Sequence, residues 1–188
     1  MKTAARVLML TVLMNSFDAE AVRDPGANIA ENPHFDSDLS GWTGSSDSFT
    51  AWTNTQDHHG SGSAGIGSAL IQSSGAPEFI AQCMPVTAGG FRYHLVAWAK
   101  STCGSSAQLS LFWANDDCSA EGMPISASTS LPNTWQPLVV DGVVPAGLHG
   151  PTAVVVLQNP GSCRDQSYFD DVLFFQDTVF QNGFESGR

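Results

Sequence analysis

Beyond its first two dozen residues the chain sustains no apolar stripe at helical spacing. Its apolar residues come in short runs rich in Val, Leu, Phe and Trp, each closed by a cluster of Gly, Ser, Asn or Pro. This pattern constrains the fold more than any other feature, because such runs build strands, and strands without helices to cover them must pack sheet on sheet. Strands are expected over Phe79–Val86, Arg92–Lys100, Gln108–Ala114, Trp135–Val140, Thr152–Gln158 and Tyr168–Gln176, with shorter ones over Phe49–Thr53 and Ala69–Gln72. Gly89-Gly90 marks a tight turn between the first two. In Tyr93-His-Leu-Val-Ala-Trp98 both alternating faces are apolar, so one packs on the opposite sheet and the other must be covered or used. The expected fold class is all-β, a sandwich of two antiparallel sheets.

The N-terminus has a different character. Lys2 and Arg6 precede the apolar run Val7–Met14, and Ala19-Glu-Ala21 supplies the small residues a signal peptidase requires. Residues 1–21 therefore read as a signal peptide removed on export, since a run this short cannot cross a hydrocarbon core that takes roughly 20 apolar residues. Residues 22–31 then form a linker, 32–176 the sandwich and 177–188 a C-terminal tail. A secreted, periplasmic or cell-envelope location follows. The net charge of −11, with no basic cluster, opposes binding to nucleic acid or anionic lipid, and no segment is suited to membrane insertion.

Four cysteines in an exported chain imply two disulfides, and none of their spacings is that of a zinc or redox CxxC pair. Cys103 and Cys118 flank the strand Gln108–Ala114, whose extended length of roughly 25 Å separates them far beyond the about 7 Å that a disulfide tolerates. If Arg92–Lys100 runs antiparallel beside Tyr168–Gln176, Cys103 and Cys163 fall at the same end. The expected pairs are Cys103–Cys163 and Cys83–Cys118.

Two motifs separated by most of the chain combine core-forming residues with carboxylates: Asn32-Pro-His-Phe-Asp-Ser-Asp-Leu-Ser-Gly-Trp42 and Tyr168-Phe-Asp-Asp-Val-Leu-Phe174. A core rejects carboxylates unless they are paired or metal-bound, so the two motifs point to a site where the ends of the sandwich meet. In order, Asn32-Pro-His-Phe35-Asp36…Gly41-Trp42, Gly60-Ser-Gly-Ser-Ala64, Gln82-Cys-Met-Pro-Val86…Gly89-Gly-Phe-Arg-Tyr93-His-Leu-Val-Ala-Trp98 and Tyr168-Phe-Asp170-Asp171-Val172 resemble carbohydrate-binding modules of families four, nine and twenty-two. The chain departs from that pattern with Pro33 for the usual Gly and Asp36 for the usual Glu. The resemblance implies a galactose-binding-like jelly roll. It also implies a structural calcium between the N-terminal loop and the last strand, for which Asp36, Asp170 and Asp171 are the candidate ligands. The tail Val179-Phe-Gln-Asn-Gly-Phe-Glu-Ser-Gly187 resembles a C-terminal signature of exported proteins of some gammaproteobacteria.

Strict alternation along the last strand places Asp170 with Val172 and Phe174 on one face, and Asp171 with Phe169, Leu173 and Phe175 on the other. Sugar recognition needs flat aromatic faces and nearby amides. Trp52, Trp98 and Trp113 are the aromatic candidates, with Asn54, Asn115 and Gln158 for polar contacts, while Trp42 is expected in the core and Trp135 at the start of a strand, capping the sandwich. His58-His59 reads as a solvated loop, because adjacent strand residues point to opposite faces and seldom share an ion. No nucleophile elbow, HExxH or phosphate loop occurs, and the adjacent pairs Asp116-Asp117 and Asp170-Asp171 lack the facing geometry of a glycosidase. The expected function is non-catalytic binding of a polysaccharide or oligosaccharide. A structural or adhesion sandwich of the cell envelope with protein partners is the alternative.

Overall fold

In the computed structural model, residues 26–60, 67–73, 75–102, 107–161 and 165–177 are described. Their strands are β1 (Thr43–Gly44), β2 (Thr50–Thr53), β3 (Ser68–Gln72), β4 (Glu78–Pro85), β5 (Arg92–Ser101), β6 (Gln108–Ala114), β7 (Ala120–Ser128), β8 (Gln136–Val143), β9 (Thr152–Asn159) and β10 (Gln166–Gln176). They form two five-stranded sheets, ordered β1-β4-β9-β6-β7 and β2-β3-β10-β5-β8. Every pairing between these strands is antiparallel. The architecture is an all-β sandwich of the galactose-binding-like jelly-roll kind. Among the described residues no helix is long and apolar enough to cross a membrane.

Period-two alternation explains how the sheets face each other. From β5, Tyr93, Leu95, Ala97 and Ala99 enter the core; β6 contributes Leu109, Leu111 and Trp113, and β9 contributes Ala153, Val155 and Leu157. The opposite face of β5, bearing His94, Val96, Trp98 and Lys100, is half-buried. Phe35 and Trp42 close one side of the core from the N-terminal loop, with their rings 5.5 Å apart.

Each expected strand is present, with ends displaced by a few residues at most. Two further strands carry weak signals. β1 is only two residues long, and β7 (AEGMPISAS) contains Gly122 and Pro124. Among the described residues β7 is an edge strand paired with β6 alone, and its ladder shifts register between Leu111 and Trp113. An edge tolerates proline because one side of the strand needs no ladder hydrogen bond.

β10 corrects the expected alternation. Its register against β5 slips between Asp170 and Leu173, and Asp171 takes a left-handed φ of 50°. This bulge inserts one residue and reverses the parity of the strand. Phe169 therefore shares the core face with Val172 and Phe174, all fully buried, while Asp170 pairs with Trp98 on the other side.

Cys83 and Cys118 are joined by a disulfide with their Cα atoms 6.0 Å apart. The turn after β6 brings Cys118 back to β4, and Cys118 adopts a φ of 63° there. Cys103, Cys163, the segment 1–21 expected to be a signal peptide, and tail residues 178–188 lie outside the described residues. Ahead of the expected start of the sandwich, Ile29 N–H donates to Phe174 O at 2.7 Å. The Asn28 amide donates to Val172 O at 3.0 Å and accepts from Phe174 N–H at 2.8 Å.

Candidate functional site

The bulge in β10 is where the two ends of the sandwich meet. Val172 N–H donates to Pro33 O at 2.8 Å, tying the last strand to the N-terminal loop, in which Asn32 and Phe35 both hold left-handed backbone conformations. The Asp171 carboxylate projects from the bulge toward His34, whose Nδ1 lies 2.7 Å from Oδ1. The loop after β2 arrives from the other side. His58 Nδ1 stands 3.0 Å, and His59 Nδ1 3.5 Å, from Asp171 Oδ2.

A turn, not a strand, carries the two histidines. Asp57 Oδ1 accepts the His59 N–H, the short-range bond of an Asx turn, which curls the chain so that both rings face the bulge 4.7 Å apart. The expected loop is present and His59 is exposed in it, but His58 is half-buried and the two rings converge on the bulge instead of pointing apart. His58 is further fixed by stacking on Trp98, with centroids 3.6 Å apart and planes inclined by 17°, and its backbone N–H donates to Asp170 Oδ2 at 3.2 Å. Gln56 anchors the same loop: its side-chain oxygen accepts from Lys100 Nζ at 2.8 Å and its backbone oxygen from Ser68 Oγ at 2.7 Å.

The electrostatics follow from three carboxylates crowded beside imidazoles. Burial, with the negative charges of Asp171 and Asp57, raises the Asp170 pKa to about 7, although backbone N–H groups of His58 and Asp171 donate to it. Burial would also raise Asp171, but hydrogen bonds from His34 and His58 and the charge of His59 hold its pKa below the usual carboxylate value. Asp57 is almost completely buried, and its Oδ2 has no hydrogen-bond partner among the described residues.

Two groups, His58–His59–Asp171 and Asp57–His59–Asp170, bring their donor atoms within 4.8 Å of one another and can hold a divalent ion. A cavity of about 170 Å³ opens onto them, lined by His34, Asp36, His59, Asp170 and Asp171. The expected ligands Asp36, Asp170 and Asp171 are thus brought together, with Asp36 exposed on the rim. The imidazoles do not fit an all-oxygen calcium cage. Sequence reasoning left out His34 and Asp57 as ligands and set His58 and His59 aside as a loop. The Asp-His-His triplet was the available signal, and only the turn makes it convergent.

The residues expected to line a sugar face do not share one. Trp113 is a correction: it points into the core at 8% exposure, 5.9 Å from the Tyr93 ring centroid. Trp52 packs against the core and its indole N–H donates to Phe35 O, so it too is structural. Trp98 lies on the outer face of its sheet beneath His58. Trp135, just before β8, is half-buried with its centroid 6.1 Å from that of His58. Asn54 is exposed in the loop after β2, whereas Asn115 follows β6, where its carbonyl accepts from Thr152 Oγ1 and its side chain from His149 N–H.

Gln158 alone of the six lies on the outer face of the β1-β4-β9-β6-β7 sheet. There the register aligns Phe79, Gln158, Gln108 and Ser128 in one row across four strands. Phe79 is 37% exposed. The next row carries Ser110 and Ser126, whose hydroxyls lie 2.8 Å apart.

No family model matches this sequence, and a search of curated proteins finds no match. The fold, by contrast, is shared with many solved structures. The chain is similar to the enzymatically active domain of bacteriophage CBA120 tailspike protein 4 (18% identity, TM-score 0.61, 80% of this chain), of which it spans only 21%. It is similar to a family 16 carbohydrate-binding module (14% identity, TM-score 0.60), with 78% of this chain and 99% of the module covered. It is also similar to TmCBM61 in complex with β-1,4-galactotriose (16% identity, TM-score 0.54), with 80% of this chain and 99% of that one covered. The same fold extends over 98% of a Stig cyclase from Fischerella (12% identity, TM-score 0.59, 81% of this chain), so at such identities the likeness is one of fold alone, the jelly-roll sandwich that carbohydrate-binding modules share.

Proposed function

We propose that this protein is an exported, non-catalytic module that binds a polysaccharide or oligosaccharide across the outer face of the β1-β4-β9-β6-β7 sheet. The observation carrying this reading is the row Phe79–Gln158–Gln108–Ser128. A half-exposed phenyl ring offers an apolar face to a pyranose ring, and two amides and a hydroxyl beside it supply both donors and acceptors for sugar hydroxyls. Three inter-strand spacings make the row about 14 Å long, enough for more than one sugar ring. The signal-peptide pattern and the Cys83–Cys118 disulfide support export, as does the similarity in fold to carbohydrate-binding modules.

Glycan-array binding followed by calorimetry with Phe79→Ala and Gln158→Ala tests the proposal. Each substitution is expected to weaken binding to the best glycan at least tenfold while leaving the melting temperature nearly unchanged. Full affinity in Phe79→Ala, or no binding to any glycan, would sink it.

One observation favours the second reading, a structural or adhesion module of the cell envelope. On the other sheet, Leu173, Val96 and Val139 align across three strands, with Leu173 38% and Val139 55% exposed. Such an apolar stripe suits a protein partner. If Val139→Asp abolishes cell-surface attachment while glycan binding is absent, this second reading replaces the first.

A further inference from the structure

We propose that the junction of the N-terminal loop, the loop after β2 and the β10 bulge is a binding site for a divalent transition metal of the zinc type, with His58, His59 and Asp171 as its principal ligands.

The donor separations carry the proposal. A tetrahedral ion bound at about 2.0–2.1 Å to nitrogen and oxygen places its ligand atoms about 3.3 Å apart. His58 Nδ1 and His59 Nδ1 stand 3.0 Å and 3.5 Å from Asp171 Oδ2, which are the edges such a polyhedron requires. Asp57 and Asp170 each bring a carboxylate oxygen within 4.8 Å of a His59 ring nitrogen, so further oxygen donors are within reach. The orphaned, buried Oδ2 of Asp57 is a second and independent sign. An unpartnered carboxylate oxygen on a residue grouped with two other carboxylates is costly to bury, and a cation at the cluster would offset that cost.

The donor chemistry selects the metal. Calcium takes hard oxygen ligands, whereas imidazole nitrogen combined with carboxylate suits zinc and its neighbours in the first transition row. The surroundings are also built to orient the ligands. Stacking on Trp98 holds the His58 ring, and His34 Nδ1 contacts the Asp171 oxygen that the other two histidines leave free. Such neighbours hold a metal ligand in its working orientation. A bound ion would clip the loop after β2 to the last strand across the outside of β5. Nothing in this inference depends on glycan binding.

The test uses the full mature chain, without a histidine tag, stripped with a chelator and then titrated with zinc chloride or calcium chloride. One equivalent of zinc is expected to bind with micromolar or tighter affinity and to raise the melting temperature, which millimolar calcium leaves unchanged. Cobalt(II) loaded in place of zinc is expected to show the intense visible absorption of a tetrahedral site. His59 is mostly exposed, so His59→Ala should fold normally and bind zinc at least tenfold more weakly. Stabilisation by calcium and not by zinc, the absence of any metal response, or undiminished zinc affinity in His59→Ala would each overturn the proposal.

Discussion

A Cβ at Gly67 would collide with the Trp52 indole and lie 2.9 Å from the backbone oxygen of Thr53. Trp52 cannot swing aside freely, because its N–H is held by Phe35 O. Gly67→Ala is therefore expected to cost about 1–3 kcal/mol through overpacking, measured as a lower urea midpoint at an unchanged slope. Phe35, fully buried against Trp42, is the larger anchor, and Phe35→Ala should cost about 3–5 kcal/mol in the same assay. Residue roles were legible where one face of a strand was plainly polar. Gln108 and Ser110 alternate with Leu109, Leu111 and Trp113, so the inward direction of Trp113 follows from the pattern of the strand itself. The roles of His58 and His59 were not legible, since two adjacent residues converge in a turn and diverge in a strand.

At the scale of elements, the Cys83–Cys118 bridge pins β4 to the turn between β6 and β7 and closes a loop of 35 residues. In the chain-entropy model, removing it as Cys83→Ala with Cys118→Ala should lower stability by about 3–4 kcal/mol. Denaturant unfolding of the double variant checks this, and an unchanged midpoint would show that the bridge contributes nothing. The long strands were legible because their apolar runs are dense and bounded by turn-formers. β7 was not, because Gly122 and Pro124 read as a loop and become a strand only when β6 supplies a partner along one edge. The β10 bulge was equally hidden. Nothing in Tyr168–Phe174 announces an extra residue, yet it moves Asp170 out of the core face and sends Asp171 toward the histidines.

For the molecule as a whole, both sheets share one core, into which β5, β6, β9, β10 and the N-terminal loop all place side chains. Unfolding is accordingly expected to be a single cooperative transition, with tryptophan fluorescence and far-ultraviolet circular dichroism giving the same midpoint. Two separated midpoints would show sheets that melt independently. By itself the sequence determined the fold class and most of the strands, along with the meeting of the first and last motifs. These depend on local composition and on a period-two pattern that each segment carries alone. Only the tertiary structure decided which carboxylates and imidazoles share a site and which aromatics remain outside. A turn, a one-residue bulge and a cross-strand register set those directions, and each depends on partners far away along the chain.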